Sequence, residues 1–378
     1  MGPLRSSARA VAGCLAAGAL APALFAACHA PSDDVDAGDL LGVFSRDGGA
    51  ERGVTDAGAD GGARRTAKKK RDGGADTPAA PVAVRAPIAG SCLAAAGEPD
   101  KDISRVLGRP ACRDAQIFEW KDALGSPRYA CLFAPRGVEA RAPLPIVLFF
   151  HGGLDDPTMV DKKTSLRKLL STADLTGDPA HKGFLVLAVQ GRHIQGGRRG
   201  SIFDVEHTGA GNVDVETVDH FFTEVDAKHL VDPRRVYTLG AQTGGQMAAL
   251  YAMTRPDRVA AFGAFAAEPL SAKWSCGGPP TPAAILYRAC DFFTKCDVVE
   301  EWRNARDAAG ADTRWLRLGA GNDDEPNCAF KNKCSEVKGT ANHRRWPKGK
   351  EDEILKFFAK HALAPEAQAQ DDAGAPGE

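Results

Sequence analysis

Gly240-Ala241-Gln242-Thr243-Gly244-Gly245 is the segment best suited to chemistry, because it joins a strand-like run to a helix-like one through a glycine-rich turn. Glycines around such a turn let strand and helix approach closely, and the residue at the tip is held strained and accessible. Here the tip is Gln242. Its carboxamide donates and accepts hydrogen bonds, but it has no hydroxyl for a histidine to activate and cannot be deprotonated to a useful nucleophile. His151-Gly152-Gly153 forms a second glycine turn, directly after the apolar run Pro145 to Phe150. Two further groups have the types that acid–base work needs: His343, in Asn342-His343-Arg344-Arg345-Trp346-Pro347, and Asp291, just after the run Ala283 to Tyr287. Asp297 rivals Asp291, but Asp297-Val298-Val299-Glu300 reads as a capping box that opens a helix. Other hydroxyls are few. Thr243 begins the helix, so its side chain is expected to point elsewhere and leave its backbone N–H as the useful part. Ser201 and Ser271 lie in loops that the sequence does not place.

The elements that must position these groups alternate. Gln116 to Trp120 and Arg128 to Phe133 flank turn residues and read as a β-hairpin. Pro145 to Phe150 and Phe184 to Val189 are continuous apolar runs, as in strands covered on both faces. Val215, Val218, Phe222 and Val225 recur at helical spacing, which predicts a helix over 213–229, ended by Asp232-Pro233. Strand Arg235 to Gly240, helix Gly245 to Met253 and strand Ala260 to Ala266 follow. Strand Ala283 to Tyr287, helix Asp297 to Ala309, strand Thr313 to Leu318 and helix Glu351 to His361 complete the series, with His343 in the loop before the last helix. This alternation implies an α/β fold: a mostly parallel sheet with helices on both faces and an antiparallel N-terminal hairpin at one edge.

The stretch Val231 to Ala248, with Gly240, Gly244 and Gly245 around the turn, resembles the nucleophile elbow of the secreted polyhydroxybutyrate-depolymerase and feruloyl-esterase-like branch of the α/β hydrolases, where the pattern is G-x-S-x-G-G. The resemblance covers roughly residues 114–362 and implies the α/β-hydrolase fold. It places the nucleophile at Gln242, the catalytic acid at Asp291 and the catalytic histidine at His343. It also implies oxyanion donors at the backbone of Gly153 or Leu154 and of Thr243. The family's serine is replaced by glutamine, so the implied site is an ester-hydrolase site without its reactive atom. No cofactor is implied.

The flanks speak of location. Arg5 and Arg9 precede an Ala/Leu-rich run from Ala10 to Ala27, and Leu24-Phe25-Ala26-Ala27-Cys28 resembles a bacterial lipobox. A signal peptide over 1–28 with lipidation at Cys28 is expected, against the rivals of ordinary secretion or a retained helix. Residues 29–88 are rich in Asp, Gly and Ala without apolar periodicity and read as a disordered tether, 89–363 as the hydrolase-like domain, and 364–378 as a disordered tail. The run Lys68-Lys69-Lys70-Arg71 reads as solvated, and a net charge of −1 argues against nucleic acid as a partner. Apart from Cys14 and Cys28 there are eight cysteines, an even set that suggests up to four disulfides in an oxidising compartment; Cys290/Cys296 and Cys328/Cys334 are spaced for local bridges. No C-x2-C pair or P-loop lysine occurs, and no metal is expected. Arg192, Arg198 and Arg199 read as a solvated loop.

Three functions remain open on sequence: a membrane-tethered envelope protein that binds an ester or polyester ligand in the old cleft, an active ester hydrolase with another nucleophile, and an envelope scaffold without a ligand.

Overall fold

The computed structural model describes residues 81–98, 108–192, 202–319, 321–328 and 334–365, all within the unit Gly74–Glu378. Cys28, the export segment, the basic run near residue 70, Arg198, Arg199 and Ser201 lie outside the described residues.

The hairpin is β2 (Gln116–Lys121) and β3 (Pro127–Phe133), paired antiparallel. Six strands continue the sheet: β4 (Leu144–Phe150), β5 (Leu185–Val189), β6 (Val231–Ala241), β7 (Val259–Phe265), β8 (Ala283–Arg288) and β9 (Thr313–Leu318). Their order is β2-β3-β5-β4-β6-β7-β8-β9, with β3 antiparallel to β5 and the remaining pairs parallel. Every residue of β4, β5, β7 and β8 is buried, which is why these strands read as continuous apolar runs.

Alternation along each strand feeds two cores. Ile146, Leu148 and Phe150 of β4 join one cluster, with Val215, Val218 and Phe221 of α3 (Val213–Asp226) and Met247 and Leu250 of α4 (Thr243–Thr254). Val147 and Phe149 face the other, with Ile354 and Phe358 of α7 (Glu351–Phe358) and residues of two short helices, α1 (Met159–Lys162) and α2 (Leu166–Leu169). Asn212 caps α3 by accepting from Asp214 N and Val215 N. Helix α5 (Cys296–Ala308) packs Val299 into the first cluster, whereas α6 (Glu336–Arg344) buries only Gly339 and Asn342. Among the described residues no helix is long and apolar enough to cross a membrane.

The structure corrects several expectations. Ala83–Arg85 forms β1, paired parallel with β10 (His361–Leu363), so ordered structure begins before residue 89. The last helix stops at Phe358, because His361 is drawn into that strand pair. Asp232-Pro233 lies within β6 rather than ending α3. His343 sits in the last turn of a helix, α6, not in a loop. Arg192 is buried rather than solvated, paired with Asp204 at 2.9 Å and Asp214 at 3.4 Å.

The local cysteine pairs do not form. All eight cysteines of the described part are bridged, as Cys92–Cys276, Cys112–Cys131, Cys290–Cys334 and Cys296–Cys328. Cys92–Cys276 closes 184 residues of chain, so it restricts the unfolded ensemble most. Replacing both of these cysteines with serine is expected to cost about 4 kcal/mol, read from denaturant unfolding under non-reducing conditions. A loss no greater than that from removing Cys112–Cys131 contradicts this.

Candidate active site

Strand β6 ends at Ala241, and Gln242 turns the chain into α4 with φ 55 and ψ −125. Left-handed backbone at a non-glycine residue is strained and persists only where its surroundings enforce it. They do so here. Gln242 N donates to Phe265 O at 2.7 Å, and Gln242 O accepts from Gln246 N at 3.0 Å. A Cβ on Gly240 would strike the Gly244 carbonyl, and one on Gly244 would strike the carbonyl oxygens of His151 and Phe150. Glycine is required because two backbones pass where a side chain would stand. The carboxamide of Gln242 donates from Nε2 to the His343 carbonyl at 3.1 Å, while Oε1 lies 2.7 Å from where a Cβ on Gly152 would be.

His343 and Asp291 are brought together from elements far apart in sequence. His343 Nδ1 lies 3.0 Å from both carboxylate oxygens of Asp291. The Asp291 side chain is fully buried, and its Oδ1 also accepts from Phe293 N and Thr294 N, each at 2.9 Å. Those donors fix the orientation of the carboxylate. Nδ1–H therefore points at the acid, which leaves Nε2 as the basic nitrogen, the arrangement of a catalytic acid–histidine pair. The Cys290–Cys334 disulfide joins the residue before Asp291 to the residue before Ser335, the N-cap of α6. Asn342 Nδ2 adds a hydrogen bond to Cys290 O at 2.8 Å. Asp297 stands apart in the first turn of α5, where its Oδ1 accepts from Val298 N; Lys295 is the N-cap, so the capping box is not formed.

These parts face one cavity of about 480 Å³, lined by Gly153, Leu154, Gln242, Thr243, His343 and, in addition, Gln246, Glu268, Phe293, Thr294 and Arg344. The second set was not singled out in the sequence. Gln246 was legible as one helical turn beyond Gln242, and Glu268 as a residue just past a parallel strand's C-terminal end, where α/β sheets bind ligands. Thr243 is among the lining residues, and its Oγ1 is a buried atom 3.8 Å from where a Cβ on Gly153 would be. The first N–H groups of α4 have no acceptor within the helix and suit a developing oxyanion. Ser271 is exposed and not among the lining residues.

His151 anchors the Gly152-Gly153 turn. Its ring is fully buried, Nε2 accepts from Gly191 N at 3.0 Å, and Nδ1 donates to Gly152 O at 2.8 Å. Accepting at one nitrogen and donating at the other defines the neutral tautomer. Burial pushes its pKa below the ordinary 6.5, and burial does the same to His361. Above that value both rings are neutral whether folded or not. Below it the unfolded chain takes up protons that the folded one refuses, so stability is lost as pH falls through about 6.5. The melting temperature is expected to drop between pH 7.5 and pH 5.5, before carboxylates titrate; a flat profile there contradicts neutral burial.

A strained elbow between strand and helix, with an aspartate–histidine pair beside it and a mostly parallel sheet in the order given above, decides the architecture. The chain has an α/β-hydrolase fold. No protein-family model matches it, and no curated protein matches its sequence. Among solved structures it is similar to a thermostable esterase, at 16% identity and TM-score 0.43 over 66% of this chain and 63% of that one, so it spans less than two thirds of that protein. Thermogutta terrifontis esterase 2 phosphorylated by paraoxon aligns at 16% identity and TM-score 0.45, over 69% of this chain and 100% of that one. An S-formylglutathione hydrolase from Agrobacterium tumefaciens aligns at 17% and 0.44, over 68% and 98%. Likeness this distant carries no argument about activity; the site itself must carry it.

Proposed function

We propose that this is an exported, membrane-tethered protein, lipidated at Cys28, whose hydrolase cleft binds an ester or polyester ligand without hydrolysing it. One observation supports the reading above others: the elbow tip, which should present a nucleophilic oxygen beside His343, presents the carboxamide of Gln242. An amide nitrogen is delocalised into its carbonyl and yields no proton to an imidazole near neutral pH. His343 then has no side-chain nucleophile to activate at the tip, and only the modest rate enhancement of binding and oxyanion donors remains. The cavity, the acid–histidine pair and the glycines that shape the elbow are retained around that loss. The ester class of the ligand follows from the resemblance of the elbow region to depolymerases and feruloyl esterases.

Ligand binding without turnover has a direct test. Ethyl butyrate should raise the melting temperature of the protein in a concentration-dependent way, as mass action requires, and should be recovered unhydrolysed. Recovery of butyrate that depends on His343 would make the protein an enzyme with another nucleophile. No shift across a panel of short and aromatic esters would favour a scaffold.

A further inference from the structure

Burying a hydroxyl without a partner is unfavourable, so each such group in a folded protein calls for a reason. Among the described residues, buried side-chain polar atoms without a hydrogen-bond partner include Thr243 Oγ1, and Thr243 is the one residue of that set that lines the cavity. The hydroxyl looks toward the bare Cα of Gly153: a methyl built there would lie 3.8 Å from Thr243 Oγ1, 3.8 Å from Gln242 Oε1 and 3.8 Å from Ile202 Cγ2. Serine and threonine in a helix usually satisfy the hydroxyl on a carbonyl three or four residues earlier, as Thr217 does on Val213 O at 2.7 Å. Thr243 cannot do so, because it is the first residue of α4 and the chain before it is extended strand. The group beside it is loosely held. Gln242 is half-buried, and its side chain makes one hydrogen bond, at 3.1 Å.

We infer that Thr243 Oγ1 is the ligand-reading group of the cleft, donating to a carbonyl oxygen of the ligand as the Gln242 carboxamide gives way. This rests on the ligand-binding reading above and adds which atom selects and what it selects. The chemistry is that of an acceptor. Thr243 N–H and the hydroxyl both donate toward the start of α4, where the helix dipole favours a partially negative oxygen. A carbonyl compound satisfies the orphaned hydroxyl, whereas an ether of the same shape, a poorer acceptor, leaves it nearly as it was. Apolar contact with Leu154 and Phe293, both largely exposed at the cavity, is common to both kinds of ligand.

The probes are ethyl butyrate and butyl ethyl ether, which differ in one carbonyl, with dissociation constants measured by ligand-observed NMR on the full chain. Wild type is expected to prefer the ester. Thr243→Val should weaken ester binding about tenfold, the worth of a hydrogen bond, leave the ether unchanged and erase the preference. Thr243→Ser should keep it. Without ligand, Thr243→Val should melt about 2–4 °C higher, since a methyl replaces an unpartnered hydroxyl, which also shows that the variant folds. Gly153→Ala, whose methyl meets only ordinary contacts, should screen the hydroxyl and reduce the preference similarly. A Thr243→Val protein that prefers the ester as strongly as wild type overturns this inference alone. A wild type that binds neither probe overturns the ligand-binding reading and this inference with it.

Discussion

Gln242→Ser is expected to turn the protein into an esterase, raising hydrolysis of p-nitrophenyl butyrate at least about a hundredfold over wild type, the lower end of what a positioned general base contributes. On the proposed reading, the substitution supplies the hydroxyl that the elbow tip lacks. The backbone that would carry the hydroxyl already has φ 55 and ψ −125, and its strain is met by bonds to Phe265 O and from Gln246 N that do not involve the side chain. His343 is already oriented by Asp291, and Asp291 by two backbone N–H groups. The Gln242 side chain gives up one bond to the His343 carbonyl, a group that solvent or the last turn of α6 can satisfy. His343→Ala in the Gln242→Ser background should remove the gain. A gain that survives His343→Ala would show that the new hydroxyl acts without the histidine. No gain in a folded variant would show that the cleft no longer supports acyl transfer.

Gly244→Ala should be among the most damaging single substitutions in the domain, costing about 4 kcal/mol or more, at the upper end of what overpacking does. The added methyl would meet the carbonyl oxygens of His151 and Phe150. Neither is the far end of a flexible side chain. Phe150 closes β4, whose backbone pairs with β5 on one side and β6 on the other, and His151 is held at both ring nitrogens. Relief would require moving α4 off the sheet, and α4 carries Met247, Ala248 and Leu250 into the core. Gly125→Ala, in the exposed turn between β2 and β3 with nothing near its Cβ, is a control for backbone strain alone, since its φ is +76. Chemical denaturation of the two variants separates the terms. Equal losses would mean that the close approach at the elbow is not what glycine serves there.

Much of this architecture is legible in the residues. Ile146 to Phe150 and Leu185 to Val189 announce strands because a doubly covered strand leaves no solvent face to break the apolar run. The elbow is legible because glycine, unlike apolar character, answers to steric demands that few other places impose. What the residues do not announce depends on distant partners. Ala83–Arg85 is three residues in a short stretch between two prolines, too brief for periodicity to be read, and its strand is defined by pairing with His361–Leu363. Helix α6 carries His343 but buries only Gly339 and Asn342, so it has no apolar periodicity to read. Its placement comes instead from Cys290–Cys334 and from Gly339 packing on Phe292, where a Cβ would lie 2.8 Å from the Phe292 nitrogen. The cysteine pairing likewise reflects proximity in space; residues 290 and 296 are near in sequence but bridge to opposite ends of the segment 328–334.

The proposal that the cleft has no nucleophile is most directly tested by intact-mass analysis after exposure to an alkyl fluorophosphonate, which reacts covalently with an activated serine or threonine hydroxyl in a hydrolase site. Wild type should remain unmodified, while Gln242→Ser should gain one adduct, mapped by peptide sequencing to position 242. A stoichiometric adduct on wild type, lost on His343→Ala, would show that another hydroxyl is activated in this cleft and that the protein is a working hydrolase.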